Sequence, residues 1–141
     1  MKYTRDLIRT TNDTKIIIDV LSNIKYNSVS WYAVRNPNCP PEILVEILKK
    51  GKNNSLSSCA AKNPNCPPEI LAEILERKSD DDVSYCASKN PNCPKNSKIK
   101  WENMIDDIGK IEDYFVHHPN SLSTVIEAQK MISEVLVKYK Y

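Results

Sequence analysis

The 141-residue sequence has little glycine and no long apolar run, and each shortage excludes a class of function. Gly51 and Gly109 are its two glycines, so it contains no glycine-rich loop of the kind that holds a phosphate. No apolar stretch approaches the roughly 18 residues that a transmembrane helix requires, and residues 1–6 lack the apolar segment of a signal peptide. We therefore expect a cytoplasmic protein that makes no membrane contact.

Patterns typical of catalysis and of β-structure are also missing. The sequence contains no known nucleophile motif and no His-x-x-x-His pair. Alternating apolar and polar residues, which half-buried strands require, do not extend over a useful length. The sequence thus predicts an all-helical protein that is not an enzyme.

The prominent feature is an internal repeat. Residues 36–44 (NPNCPPEIL) recur 27 residues later as 63–71, and the pattern begins a third time at Asn90. A fixed spacing of this size is typical of proteins that stack one supersecondary unit and bind other molecules along an extended surface. When this 27-residue spacing is extended in both directions, it predicts a single domain, 1–141, of about five units. These are 6–32, 33–59, 60–86, 87–114 and 115–141, with atypical capping units at the two ends.

Each clear unit is predicted to contain two short helices. The longer helix begins at Pro40-Pro41 or Pro67-Pro68, because the fixed φ of proline suits the first helical turn. The shorter helix is expected over 28–35, 55–62 and 82–89. Its predicted caps are Asn27, Asn54, Asp81 and, in the fourth unit, Gly109. A last helix over about 123–139 is expected to close the stack.

The motif Ala-x-x-Asn-Pro-x-x-Pro followed by a leucine-rich helix resembles the variant leucine-rich repeat. The resemblance covers 33–48 and 60–75, with a shorter match at 87–94. It implies a right-handed α-solenoid. Similar repeats occur in bacterial and phage proteins of unknown function, so we expect this protein to come from a bacterium or a phage. The standard leucine-rich repeat, with its strand motif and its own row of asparagines, is not present. The iron–sulfur module found in some members has no counterpart, because no cysteine precedes Cys39.

The five cysteines are expected to be reduced and structural. Three of them occupy the same position of successive repeats: Cys39, Cys66 and Cys93. The end units have Asn12 and Ser121 at this position, so we interpret it as a helix N-cap. The other two share a position with tyrosine, which indicates burial: Cys59 and Cys86. On this interpretation Cys66→Ser is nearly neutral and Cys59→Ser costs more. We predict no cofactor, although the pairs Cys59/Cys66 and Cys86/Cys93 leave a thiol-held metal or iron–sulfur centre as an alternative.

A basic residue precedes each Asn-Pro motif, and the fifth unit has a histidine there. We call this set the basic column: Arg35, Lys62, Lys89 and His117. Such a column suits an acidic protein surface or a row of phosphates. The simpler interpretation is that cations near helix C-termini offset the helix dipole and keep the surface solvated. The asparagines that follow are expected to initiate turns.

The function predicted from these features is a non-catalytic interaction module. It would bind a protein partner through one face of the stack, using the basic column with Trp31 and Tyr85 as aromatic anchors. Binding of a nucleic-acid backbone by the same column is the alternative. The formal net charge of +2 is too small to decide between them.

Overall fold

The computed structural model describes residues 3–22, 28–52, 54–118 and 122–140. Over these ranges the chain forms nine helices and no strand, which confirms the prediction of an all-helical protein. The helices are α1 (Arg5–Thr10), α2 (Thr14–Ser22), α3 (Ser28–Arg35), α4 (Pro41–Lys49), α5 (Ser55–Lys62), α6 (Pro68–Glu76), α7 (Asp82–Lys89), α8 (Lys95–His117) and α9 (Leu122–Tyr139). The chain divides into two compact units, Met1–Lys98 and Ile99–Tyr141, so the single domain stays a prediction.

In the first unit the helices recur at the interval that the sequence predicts. Helices α2, α4 and α6 begin at residues 14, 41 and 68, and α3, α5 and α7 begin at residues 28, 55 and 82. The bounds of the three shorter helices are those expected from the sequence. Pro41 and Pro68 occupy the first position of α4 and α6, where a missing N–H leaves no hydrogen bond unmade.

The core of the first unit is built from one apolar stripe on each helix. Helix α3 packs against α5, and α5 packs against α7, while α2, α4 and α6 each pack against the shorter helix that follows. The stripes of the longer helices are almost fully buried at Ile17, Leu21, Leu44, Ile47, Leu48, Leu71, Ile74 and Leu75. Full burial of such a side chain contributes about 1.5–3 kcal/mol, so each repeat depends on its neighbours for stability.

Buried asparagines join each repeat to the one before it. Each side-chain amide donates to two backbone carbonyls at N···O distances between 2.6 and 3.0 Å. The pairings are Asn36 with Ile8 and Thr11, Asn63 with Val34 and Asn36, and Asn90 with Ala61 and Asn63. Each Oδ1 also accepts the backbone N–H two residues on, which confirms the turn prediction. We call this set the asparagine ladder; the sequence predicted turns at these residues but no bonds between the repeats.

The predicted N-cap role of the cysteines is wrong. The N-caps of α4 and α6 are Pro40 and Pro67, and neither helix start has a side-chain cap bond. Cys39 and Cys66 lie one residue earlier and are 0% exposed. Each donates its backbone N–H to the asparagine carbonyl three residues before it, so the turn directs the thiol inward. Burial raises the pKa of both thiols to about 12.

Two of the four predicted caps of the shorter helices are confirmed. Asn54 accepts the N–H of Ser57 at 2.9 Å, and Asp81 accepts that of Ser84 at 2.7 Å. Asn27 lies outside the described residues. The prediction for Gly109 is wrong, because α8 continues through this position to His117. A single glycine costs a helix only about 1 kcal/mol, and Lys110 bridges to Asp106 one turn earlier at 2.8 Å.

The second unit therefore departs from the two-helix repeat. Its helices are linked by Asp107, which accepts hydrogen bonds from Lys138 Nζ at 2.6 Å and from the Tyr139 hydroxyl at 2.9 Å. These bonds hold the pKa of Asp107 at about 2. Ala128 and Tyr139 of α9 are buried, but Val125, Ile132 and Leu136 are 39–48% exposed. No helix within the described ranges is long and apolar enough to cross a bilayer.

Candidate binding groove

A groove of about 650 Å³ crosses the shorter helices of the first unit. Its lining residues come from α3, α5, α7 and the turn after α5: Trp31, Arg35, Ser55, Ser58, Cys59, Lys62, Asn63, Pro64, Asp82, Tyr85 and Cys86. Because these helices pack side by side in chain order, the groove runs across them rather than along one of them.

The groove exists because one repeat has a small residue where its neighbours have aromatic ones. Trp31, Ser58 and Tyr85 are 27 residues apart and occupy the fourth position of α3, α5 and α7. Because α5 packs between α3 and α7, Ser58 lies between the two rings, and we call the rings the walls of the groove and Ser58 its floor. Tyr85 is 54% exposed, which is high for a large aromatic side chain and leaves its ring accessible.

Three cations mark one edge, where α3, α5 and α7 end: two of them line the groove, and the third contacts the Tyr85 ring. Arg35, Lys62 and Lys89 are the last residues of α3, α5 and α7, at the end where the helix dipole favours positive charge. The Arg35 guanidinium carbon lies 4.3 Å from the centroid of the Trp31 ring, and Lys89 Nζ lies 5.6 Å from that of Tyr85. Both walls are therefore in cation–π contact, and Lys62 lines the groove between them.

Two thiols contribute to the floor. Burial raises the pKa of Cys59 and of Cys86, while the positive charge of Lys62 acts in the opposite direction at both. Because the raised pKa keeps these thiols protonated at neutral pH, they do not cancel the charge of the edge. Asp82 is the acidic residue of the lining, and it lies at the other end of α7 from Lys89.

The structure brings together most of the predicted site residues. Arg35, Lys62, Trp31 and Tyr85 line one groove, and Lys89 joins them through its contact with Tyr85. His117 belongs to the second unit, where its Nδ1 lies 3.2 Å from a carboxylate oxygen of Asp113. Its place in the basic column stays a prediction.

The main feature that the sequence analysis missed is Ser58. The signal was present, because aligning the repeats at 27 residues places a serine between two aromatic residues. The sequence also did not reveal that each of the two aromatic rings is in contact with a cation of the basic column.

The other candidate sites do not converge in the described part of the chain. There, no three His, Cys, Asp or Glu side chains are grouped so that they could hold a metal ion. All five cysteines are buried and reduced. Comparison with protein-family models, curated proteins and solved structures finds no match to this chain.

Proposed function

We propose that the protein is a non-catalytic, cytoplasmic interaction module that binds an acidic segment of a protein partner in the groove across α3, α5 and α7. The observation that carries this proposal is the Trp31–Ser58–Tyr85 column, which leaves a gap beside three cations. An extended chain can lie in such a gap, with its apolar groups against the rings and its carboxylates at the cations.

The distribution of charge between the two units supports an anionic ligand. The first unit has 15 Lys and Arg against 11 Asp and Glu, a balance of +4, whereas the second has 5 against 7, a balance of −2. The overall charge of +2 conceals this difference. Positive potential near the groove would steer an acidic segment towards it and speed its association.

We also propose that the repeats form an α-solenoid of the variant leucine-rich kind. The constant 27-residue interval of the helices and the asparagine ladder support this proposal, since both relate each repeat to the next in the same way. The right-handed superhelix of about five units remains a prediction.

A nucleic acid is the second candidate, and one observation favours it. Proteins that bind single-stranded DNA or RNA combine aromatic rings with cations. The bases stack on the rings, and the phosphates lie at the cations. Trp31 with Arg35 and Tyr85 with Lys89 provide two such pairs.

Fluorescence anisotropy with two labelled probes tests the proposal. One probe is a glutamate-rich peptide and the other an oligouridylate of similar length, each titrated with the protein at several salt concentrations. We expect the peptide to bind and Lys62→Glu to weaken its affinity at least tenfold. Lys49→Glu is the matched control, because Lys49 is the exposed last residue of α4, outside the groove lining. Binding of the oligouridylate alone, with a steep loss of affinity as the salt concentration rises, would show that the ligand is a nucleic acid and not an acidic peptide.

A further inference from the structure

The spacing of the edge cations restricts the ligand that the groove can take. Arg35, Lys62 and Lys89 end three helices that pack against one another in order, one cation on each helix. The axes of packed helices lie about 8–10 Å apart. A ligand with a negative charge about every 9 Å along one side therefore matches the ends of these three helices.

The common peptide conformations meet this requirement to different degrees. A β-strand advances about 3.3 Å per residue and alternates its faces, so charges on one side repeat at about 6.6 or 13 Å. A polyproline II helix has three residues per turn and advances about 3.1 Å per residue, so every third side chain lies on one side at about 9.3 Å. The polyproline II repeat matches the spacing of the helices.

An α-helical ligand matches the spacing less closely. Residues seven apart in an α-helix lie on one side, about 10.5 Å from each other, which is longer than the 8–10 Å between the axes of packed helices. A polyproline II segment is thinner, and grooves lined by aromatic residues are a common way of binding it.

The opposite edge of the groove adds a second restriction. Asp82 begins α7 and Lys89 ends it, so about 10 Å of helix separates the two charges. A carboxylate on that side of the ligand would be repelled by Asp82. The ligand is thus acidic on one side only, with uncharged residues between the acids to pack against Trp31, Ser58 and Tyr85.

We propose that the groove recognises a polyproline II segment with a carboxylate at every third residue, of the pattern Glu-x-x-Glu-x-x-Glu. This inference rests on the proposed function and specifies its ligand. The three glutamates would pair with Arg35, Lys62 and Lys89. The intervening residues, of which proline is the best suited, would lie over the aromatic walls and the Ser58 floor.

Two labelled peptides of identical composition test the spacing. One is Glu-Pro-Pro-Glu-Pro-Pro-Glu, and the other is Glu-Pro-Glu-Pro-Glu-Pro-Pro, which has the same charge and length but places the acids two residues apart. We expect the first to bind the whole protein at least tenfold more tightly by fluorescence anisotropy. We also expect Lys62→Glu, but not Lys49→Glu, to remove that preference, with circular dichroism verifying that both variants are folded.

The possible results of this experiment distinguish the spacing rule from the proposed binding of acidic peptides, on which the rule rests. Equal affinity for the two peptides, reduced equally by Lys62→Glu, overturns the spacing rule and leaves acidic-peptide binding in place. Binding of neither peptide, together with binding of an oligouridylate, overturns both.

Discussion

Asn63 Nδ2 lies 3.0 Å from the carbonyl oxygen of Asn36, the residue that occupies its own position one repeat earlier. Asn90 repeats this relationship with Asn63 at 2.9 Å. Each asparagine thus donates to the backbone of the preceding repeat and offers its own carbonyl to the next. The ladder fixes the register of the stack with directed bonds, which apolar packing by itself cannot do.

The ladder predicts a marked loss of stability in Asn63→Ala. The substitution takes this donor from the carbonyls of Val34 and Asn36. The Asn36 carbonyl keeps the backbone N–H of Cys39, but a buried polar group that loses its partner costs about 1–3 kcal/mol. Urea unfolding followed by circular dichroism measures the change. Asn65→Ala is the control, because Asn65 is exposed and water can replace its bond to the Cys39 carbonyl. Equal losses in the two variants would contradict a special role for the ladder.

The burial of the thiols reverses the order of costs that the sequence suggested. Cys66 is 0% exposed beneath its turn, so Cys66→Ser places a hydroxyl in an apolar site and should cost about 1–3 kcal/mol. Cys59→Ser should cost less, because Cys59 lines the groove and a helical serine can bond the carbonyl four residues before it. Thermal unfolding of both variants measures the difference, and a greater loss in Cys59→Ser would contradict this order of costs.

Asp107 predicts a dependence of stability on pH in the second unit. Hydrogen bonds from Lys138, Tyr139 and Lys110 hold its pKa at about 2, below the value in an unfolded chain. A lowered pKa stabilises the fold above about pH 4, and this stabilisation disappears as pH falls towards about 2. Asp107→Asn should therefore lower the melting temperature at pH 7 and have little effect at pH 2. A similar deficit at both pH values would show that charge is not the cause.

Filling the floor of the groove should abolish binding without unfolding the protein. Ser58→Tyr gives the middle helix the aromatic residue that α7 has at the same position, so the repeat can accommodate it on its surface. We expect at least a tenfold loss of peptide affinity and a melting temperature close to that of the wild type. Ser58→Ala, which keeps the space, is the control and should bind normally. Binding that survives Ser58→Tyr would place the ligand elsewhere.

Much of the first unit follows from local sequence. The Pro-Pro helix starts, the apolar stripes and the Asn-Pro turns act within a few residues, so they determine the bounds of α3 to α7 from the chain alone. The structure of the fourth unit could not be predicted in this way, because the repeat pattern placed a helix cap at Gly109, where α8 continues. Whether one glycine ends a helix depends on the bonds around it, such as that from Lys110 to Asp106.

The sequence by itself determined the helical class, the 27-residue interval and the presence of a cationic column beside two aromatic residues. The tertiary structure decided which asparagine atoms meet which carbonyls, which thiols are buried, and that Ser58 opens a gap between Trp31 and Tyr85. The physical reason is that a repeat specifies which positions are equivalent, whereas a groove depends on the volumes of side chains on adjacent helices. Those side chains come together only when the repeats pack against one another.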